Sequence, residues 1–174
     1  MSKRRTLVLG GAAVASIVLA IASAGNDVDG PVAPTPPALA AQDATCTDDA
    51  PAQRATAREA EAEARIARYA FAPSEGVTAL ALLGEAMACR SRAGDDRGAA
   101  RLRARRDAWH ARIELDYRTH RLRLAHALAT GAEDLAHGEA DALLALLEAH
   151  AGPYTAWLHE LLLDLEADRT ESQP

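Results

Sequence analysis

Lysine is almost missing from this chain: one residue, Lys3, stands against 18 Arg. Aromatic residues number six in 174, and Gly and Pro together reach only 19. That shortage of strand formers and turn residues speaks against an all-β or doubly wound fold. Past residue 25, serine is limited to Ser74, Ser91 and Ser172, each beside a helix end or the terminus, so no serine nucleophile is evident. There is no phosphate loop, dinucleotide-binding glycine pattern, Gly-x-Ser-x-Gly, His-Glu-x-x-His or Cys-x-x-Cys. These absences lead to the expectation of a non-enzyme that uses no cofactor. A formal net charge of −6, with few aromatics among the arginines, also excludes a general nucleic-acid binder.

What fills the space is alanine, 43 residues, and leucine, 22, both strong helix formers. The expected fold class is all-α: about five helices in antiparallel hairpins, arranged as a small bundle. The expected organisation has four parts. Residues 1–25 form a signal peptide or transmembrane anchor, and 26–49 a Pro/Ala-rich disordered linker. Residues 50–170 form the helical domain, and 171–174 a disordered tail.

The N-terminal reading rests on Lys3, Arg4 and Arg5 ahead of an uncharged run from Thr6 to Gly25 that closes on Ala22-Ser23-Ala24, a small-x-small pattern. Cleavage is expected between Ala24 and Gly25. The competing reading is an uncleaved anchor, because twenty helical residues span about 30 Å, roughly one hydrocarbon core. In either case the basic end stays in the cytoplasm and the rest is exported, to the periplasm or the outer face of the inner membrane. Arg4-Arg5-Thr6-Leu7-Val8 resembles a twin-arginine export signal. The following stretch, with Pro31, Pro34, Pro36 and Pro37, reads as an extended tether.

Helix boundaries follow from breaks at Ala72-Pro73-Ser74, Gly94-Asp95-Asp96, Thr130-Gly131 and Gly152-Pro153. The first helix is expected from Asp49 or Ala50 to about Phe71. Ser74 is expected to cap the second, which Gly94 ends. Asp95 or Asp96 opens a third reaching about Ala129, Thr130 and Glu133 form a capping box for the fourth, and Pro153 begins the fifth. Apolar stripes at three-and-four spacing mark the buried faces, such as Val77, Leu80, Leu83, Met87 and Trp109, Ile113, Tyr117, Leu124, Leu128. Ala62, Ile66 and Tyr69 give the first helix a thinner one.

Ala81-Leu82-Leu83-Gly84-Glu85-Ala86, then Gly94-Asp95 and Ala99-Ala100, resemble one tetratricopeptide hairpin, with its Leu-Gly pair, Gly-Asp turn and small residues in the second helix. That resemblance implies a helical-hairpin stack that binds a peptide or protein partner and carries no catalytic residue.

Cys46 and Cys89 are the only cysteines, and export would place both in an oxidising space. A disulfide between them is expected: Cys46 precedes the first helix and Cys89 lies near the end of the second. Their offset of about 15 Å can be spanned by four or five extended residues. The third helix carries nine Arg between Arg97 and Arg123, while ten acids follow Gly131 against Arg169 alone. One expectation is that these opposite charges pair across neighbouring helices. The other is a face for an anionic partner formed by Arg101, Arg105, Arg112, Arg118, Arg121 and Arg123. Asp107-x-x-His110 and Asp134-x-x-His137 raise a metal-binding bundle, but the motif departs from the Glu-x-x-His of di-metal bundles, so no metal ligands are assigned. The leading functional expectation is therefore an exported interaction or scaffold module with a protein partner in the cell envelope. A self-assembling, homo-oligomeric envelope component and a metal-binding bundle are the alternatives.

Overall fold

Three helices start on proline, which fits there because the first turn has no intrahelical use for its missing N–H. They are α1 (Pro51–Arg68), α2 (Pro73–Arg92) and α5 (Pro153–Glu171). Between them lie α3 (Asp96–Thr130) and α4 (Glu133–Leu146). The computed structural model describes residues 33–39, 44–148 and 150–171, and these are all-helical apart from extended and turn segments, with no strand. The residues from Ala33 onward make one compact unit. The expected signal or anchor, its cleavage site at Ala24 and Gly25, the first part of the linker and residues 172–174 lie outside the described residues.

Consecutive helices pack as antiparallel neighbours, and α2 also touches α4. Gly94 (φ 75°) and Gly131 (φ 65°) close α2 and α3 in the left-handed conformation that side chains disfavour. Asp95 opens α3 as expected, its Oδ1 accepting the Gly98 N–H at 2.8 Å. Three expected signals act differently. Ser74 lies inside α2 behind the Ala72 N-cap, and its carbonyl accepts the Thr78 hydroxyl. Thr130 is the last residue of α3 and donates back to the His126 carbonyl at 2.9 Å, which leaves Ala132 as the N-cap of α4, without a side-chain cap. Glu133 and Asp134 in the first turn of α4 instead complement its exposed N–H groups. The helix α4 ends at Leu146, well before Gly152.

The 35 residues of α3, about 52 Å long at 1.5 Å per residue, connect two apolar clusters. Near its start, Leu102 joins Ala62, Leu82, Leu83 and Ala86 between α1 and α2. Farther along, Ile113, Tyr117, Leu124 and Ala127 meet Ala140, Leu143 and Leu146 of α4, Leu147 just after it, and Leu158 and Leu165 of α5. The anticipated stripes supply most of this core, while Leu128 at the end of its stripe is 40% exposed. Helix α1 fully buries only Ala55 and Ala62. Partly buried Ile66 adds to that packing, and ion pairs tie α1 to α2: Arg58 meets Glu85 at 2.8 Å, Arg65 meets Glu75 at 3.0 Å, and Arg68 meets Glu75 at 3.1 Å.

Part of the expected tether is docked. Residues 33–39 run extended along α3, with Pro34, Pro36, Pro37 and Leu39 half-buried. The Tyr117 hydroxyl donates to the Pro37 carbonyl at 3.2 Å, and His110 Nε2 lies 2.8 Å from the Leu39 carbonyl oxygen. The reason is composition: polyproline-like backbone leaves its carbonyls free, and a buried tyrosine needs an acceptor for its O–H. The domain therefore begins at about Ala33, well before residue 50.

Candidate functional site

Cys46 and Cys89 are at bonding distance, with Cα atoms 5.0 Å apart and a sequence separation of 43. Residues 47–50 lead from this point to α1 without regular structure, bending at 49 and 50, and the Arg92 guanidinium donates to the Cys46 carbonyl at 2.6 Å. The spacing argument thus places the cysteines correctly, with residues 47–50 covering the offset between helix levels.

The six arginines proposed for an anionic partner do not form one patch. Arg105 pairs with Glu63 of α1, and Arg123 lies 3.8 Å from Glu139 of α4. Arg112 and Arg118 pair along α3 with Asp116 at 2.9 Å and Glu114 at 3.8 Å. Arg101 has no carboxylate partner among the described residues and lies on the exposed side. Arg121 stacks over the Tyr117 ring, 5.6 Å from its centroid, without a carboxylate partner among the described residues.

Three of the six histidines have partners for their side chains among the described residues, while the buried His150 Nδ1 has no hydrogen-bond partner there. His110 meets Leu39, His137 lies 3.2 Å from Asp141 and 3.6 Å from Glu166, and His120 Nδ1 is 2.5 Å from Glu139, a buried carboxylate. Asp107 and Asp134 are not brought onto them as ligands, and no group of three or more His, Cys, Asp or Glu among the described residues is placed to hold a metal ion. Asp116 and His120, four apart on α3, go separate ways: Asp116 accepts the Tyr69 hydroxyl at 2.9 Å.

The feature that sequence reading missed is a groove of about 530 Å³ between α3, α5 and residues 33–36. Leu122, Leu124, Ala125 and Leu128 form one wall, Tyr154 and Trp157 the other, and Arg118 and Arg121 stand at its side. Tyr154 is buried, while half-buried Trp157 presents its ring to the groove, the two ring centroids 5.5 Å apart. Burial pushes the Tyr117 hydroxyl up to about 12 and raises Tyr154 as well, where Arg121 pulls in the opposite direction. Tyr69 is raised too, first by burial and then by its bond to Asp116. Leu128, the last member of the stripe expected to be buried, is 40% exposed, and Leu122 beside it is 73% exposed.

No protein-family model, curated protein or solved structure matches this chain. No helix among the described residues is long and apolar enough to cross a membrane.

Proposed function

We propose that this chain is an exported α-helical interaction module, working in the periplasm or tethered to the outer face of the inner membrane, that recruits a protein partner through the outward row of α3. The carrying observation is that row: Arg101, Ala104, Ala108, Ala111, Leu115 and Leu122 all face solvent, with Leu115 54% and Leu122 73% exposed. Small residues at three-and-four spacing let another helix approach closely, and two exposed leucines supply apolar contact. The resemblance of the α2–α3 turn region to a tetratricopeptide hairpin supports binding over catalysis. The basic-then-apolar N-terminus supports export, and a bridged Cys46–Cys89 pair is compatible with it.

Arg97, Arg101 and Arg103, near the start of the row, have no carboxylate partner among the described residues, so an acidic partner helix is favoured over a second copy, whose like charges would oppose pairing. The test is affinity capture from envelope extract, followed by binding of the purified partner. Wild type is expected to retain the partner and an Ala108→Arg, Leu115→Arg double variant to lose it, with unchanged circular dichroism. Equal capture by both forms would overturn the assignment. Light scattering is expected to show a monomer; a stable oligomer dissociated by the same substitutions would favour self-assembly instead.

A further inference from the structure

We propose that the groove between α3, α5 and residues 33–36 binds a single-chain anionic amphiphile, an acyl chain ending in a carboxylate, with the tail along Leu122, Leu124, Leu128 and Trp157 and the carboxylate on Arg121. This small-molecule site is distinct from the protein-docking row of α3 except at Leu122, which borders both.

Size and shape come first. About 530 Å³ falls within the range of ligand pockets, and α3 and residues 33–36 both line the groove. Its lining holds two arginines and no carboxylate; the remainder is aliphatic, aromatic, proline or alanine. Such walls favour an apolar body, and the arginines favour an anion.

Arg121 is the decisive residue. It is half-buried, rests on the Tyr117 ring at 5.6 Å and faces Tyr154, with no carboxylate partner among the described residues. A guanidinium held against apolar walls keeps its donors in a place where a ligand carboxylate would form charge-assisted hydrogen bonds. Arg118 is a weaker candidate, since Glu114 lies 3.8 Å away and its side chain is 64% exposed. Arg121 also borders the adjoining space along Pro36 to Leu39, but Glu114 lines that space, so an anion on Arg121 is favoured on the side of Tyr154, where no carboxylate lines the groove.

A second extended peptide fits less well. The donors able to read backbone carbonyls, the Tyr117 hydroxyl and His110, are already taken by Pro37 and Leu39 of this chain. What stays open is an apolar wall and a guanidinium. Exposed Leu122 and Leu128, 73% and 40%, are the surface that a ligand tail would remove from water.

The experiment uses the full chain carrying Trp109→Phe, which leaves Trp157 as the remaining tryptophan. It is titrated with a terminally brominated dodecanoate below its micelle concentration. Saturable quenching of Trp157 is expected, reversed by plain dodecanoate and much less by dodecanol. Arg121→Gln should weaken binding roughly tenfold or more, as loss of a hydrogen bond to a charged group implies. Arg112→Gln, outside the groove, should leave it unchanged. Each methylene added from octanoate to dodecanoate should tighten binding up to about fourfold. Because Trp109→Phe touches the core, the unaltered chain is tested in parallel, and dodecanoate is expected to raise its Tm in a concentration-dependent way. The proposal falls if neither form responds, if dodecanol matches dodecanoate, if Arg121→Gln binds as well as its parent, or if quenching occurs only on vesicles of brominated anionic phospholipid. Partner capture through the outward row of α3 is read separately and does not depend on any of these results.

Discussion

Tyr117 joins three parts of the molecule. Its ring is buried among α3, α4 and α5, its hydroxyl donates to the Pro37 carbonyl, and Arg121 lies over its face. Tyr117→Phe keeps the packing and removes the donor, so a loss of about 0.5–1.5 kcal/mol is expected. Faster amide exchange or proteolysis should appear within residues 33–39 first, while the helices stay protected; no local change there would mean that the docked segment is held by its prolines alone. The tyrosines also set an alkaline limit. Tyr69, Tyr117 and Tyr154 are all raised by burial, so the fold favours their neutral form. An unfolded tyrosine titrates near about 10. Stability from these groups is therefore complete below that pH and falls as pH rises from about 10 toward 12. Absorbance at the tyrosinate band is expected to lag a free tyrosine control and then rise together with loss of helix. Three independent titrations near the free value would contradict the burial described.

Among the elements, α1 is the weakly anchored one. It buries two alanines, and exposed ion pairs of the kind joining it to α2 contribute under about 1 kcal/mol each. The Cys46–Cys89 bridge closes a loop of 43 residues, which in the chain-entropy treatment stabilises by about 4 kcal/mol and in practice by about 2–4. Replacing both cysteines by serine should lower Tm and raise exchange in α1 and residues 44–50 before α3 or α4; uniform exchange across all helices would show that α1 does not depend on the bridge. This element also shows what could be read in advance. Five helices, the Asp95 cap, the Gly94 and Gly131 stops and most of the buried stripes follow from spacing and turn chemistry, which are local. Thr130 was misread because a threonine at a helix end can equally bond back to the preceding turn, and local sequence does not choose between them. The docking of residues 33–39 and the groove beside them were not legible. They depend on α3 and α5 presenting Tyr117, Arg121, Tyr154 and Trp157 together across long sequence separations.

At the scale of the whole molecule, α3 carries both apolar clusters on one continuous rod. Leu83 and Leu143, each fully buried in a different cluster, make a matched pair for testing whether the clusters unfold together. Truncation of either to Ala is expected to cost about 2–5 kcal/mol and to leave a single thermal transition. Two transitions separated by one of these substitutions would mean that α3 breaks between the clusters. The same rod presents the partner row on its outside and the amphiphile groove near its C-terminal half, so one stiff element would hold both surfaces in fixed relation.

Export underlies the functional reading, and the mass of the native polypeptide tests it most directly. The chain recovered from the cell without reductant, with free thiols blocked on lysis, should be found in the envelope or periplasmic fraction with no blocking group attached. Its mass should be two hydrogens below the reduced value, either starting after Ala24 or retaining Met1 in the membrane. Recovery from the cytosol at full length with both Cys46 and Cys89 alkylated would contradict the account.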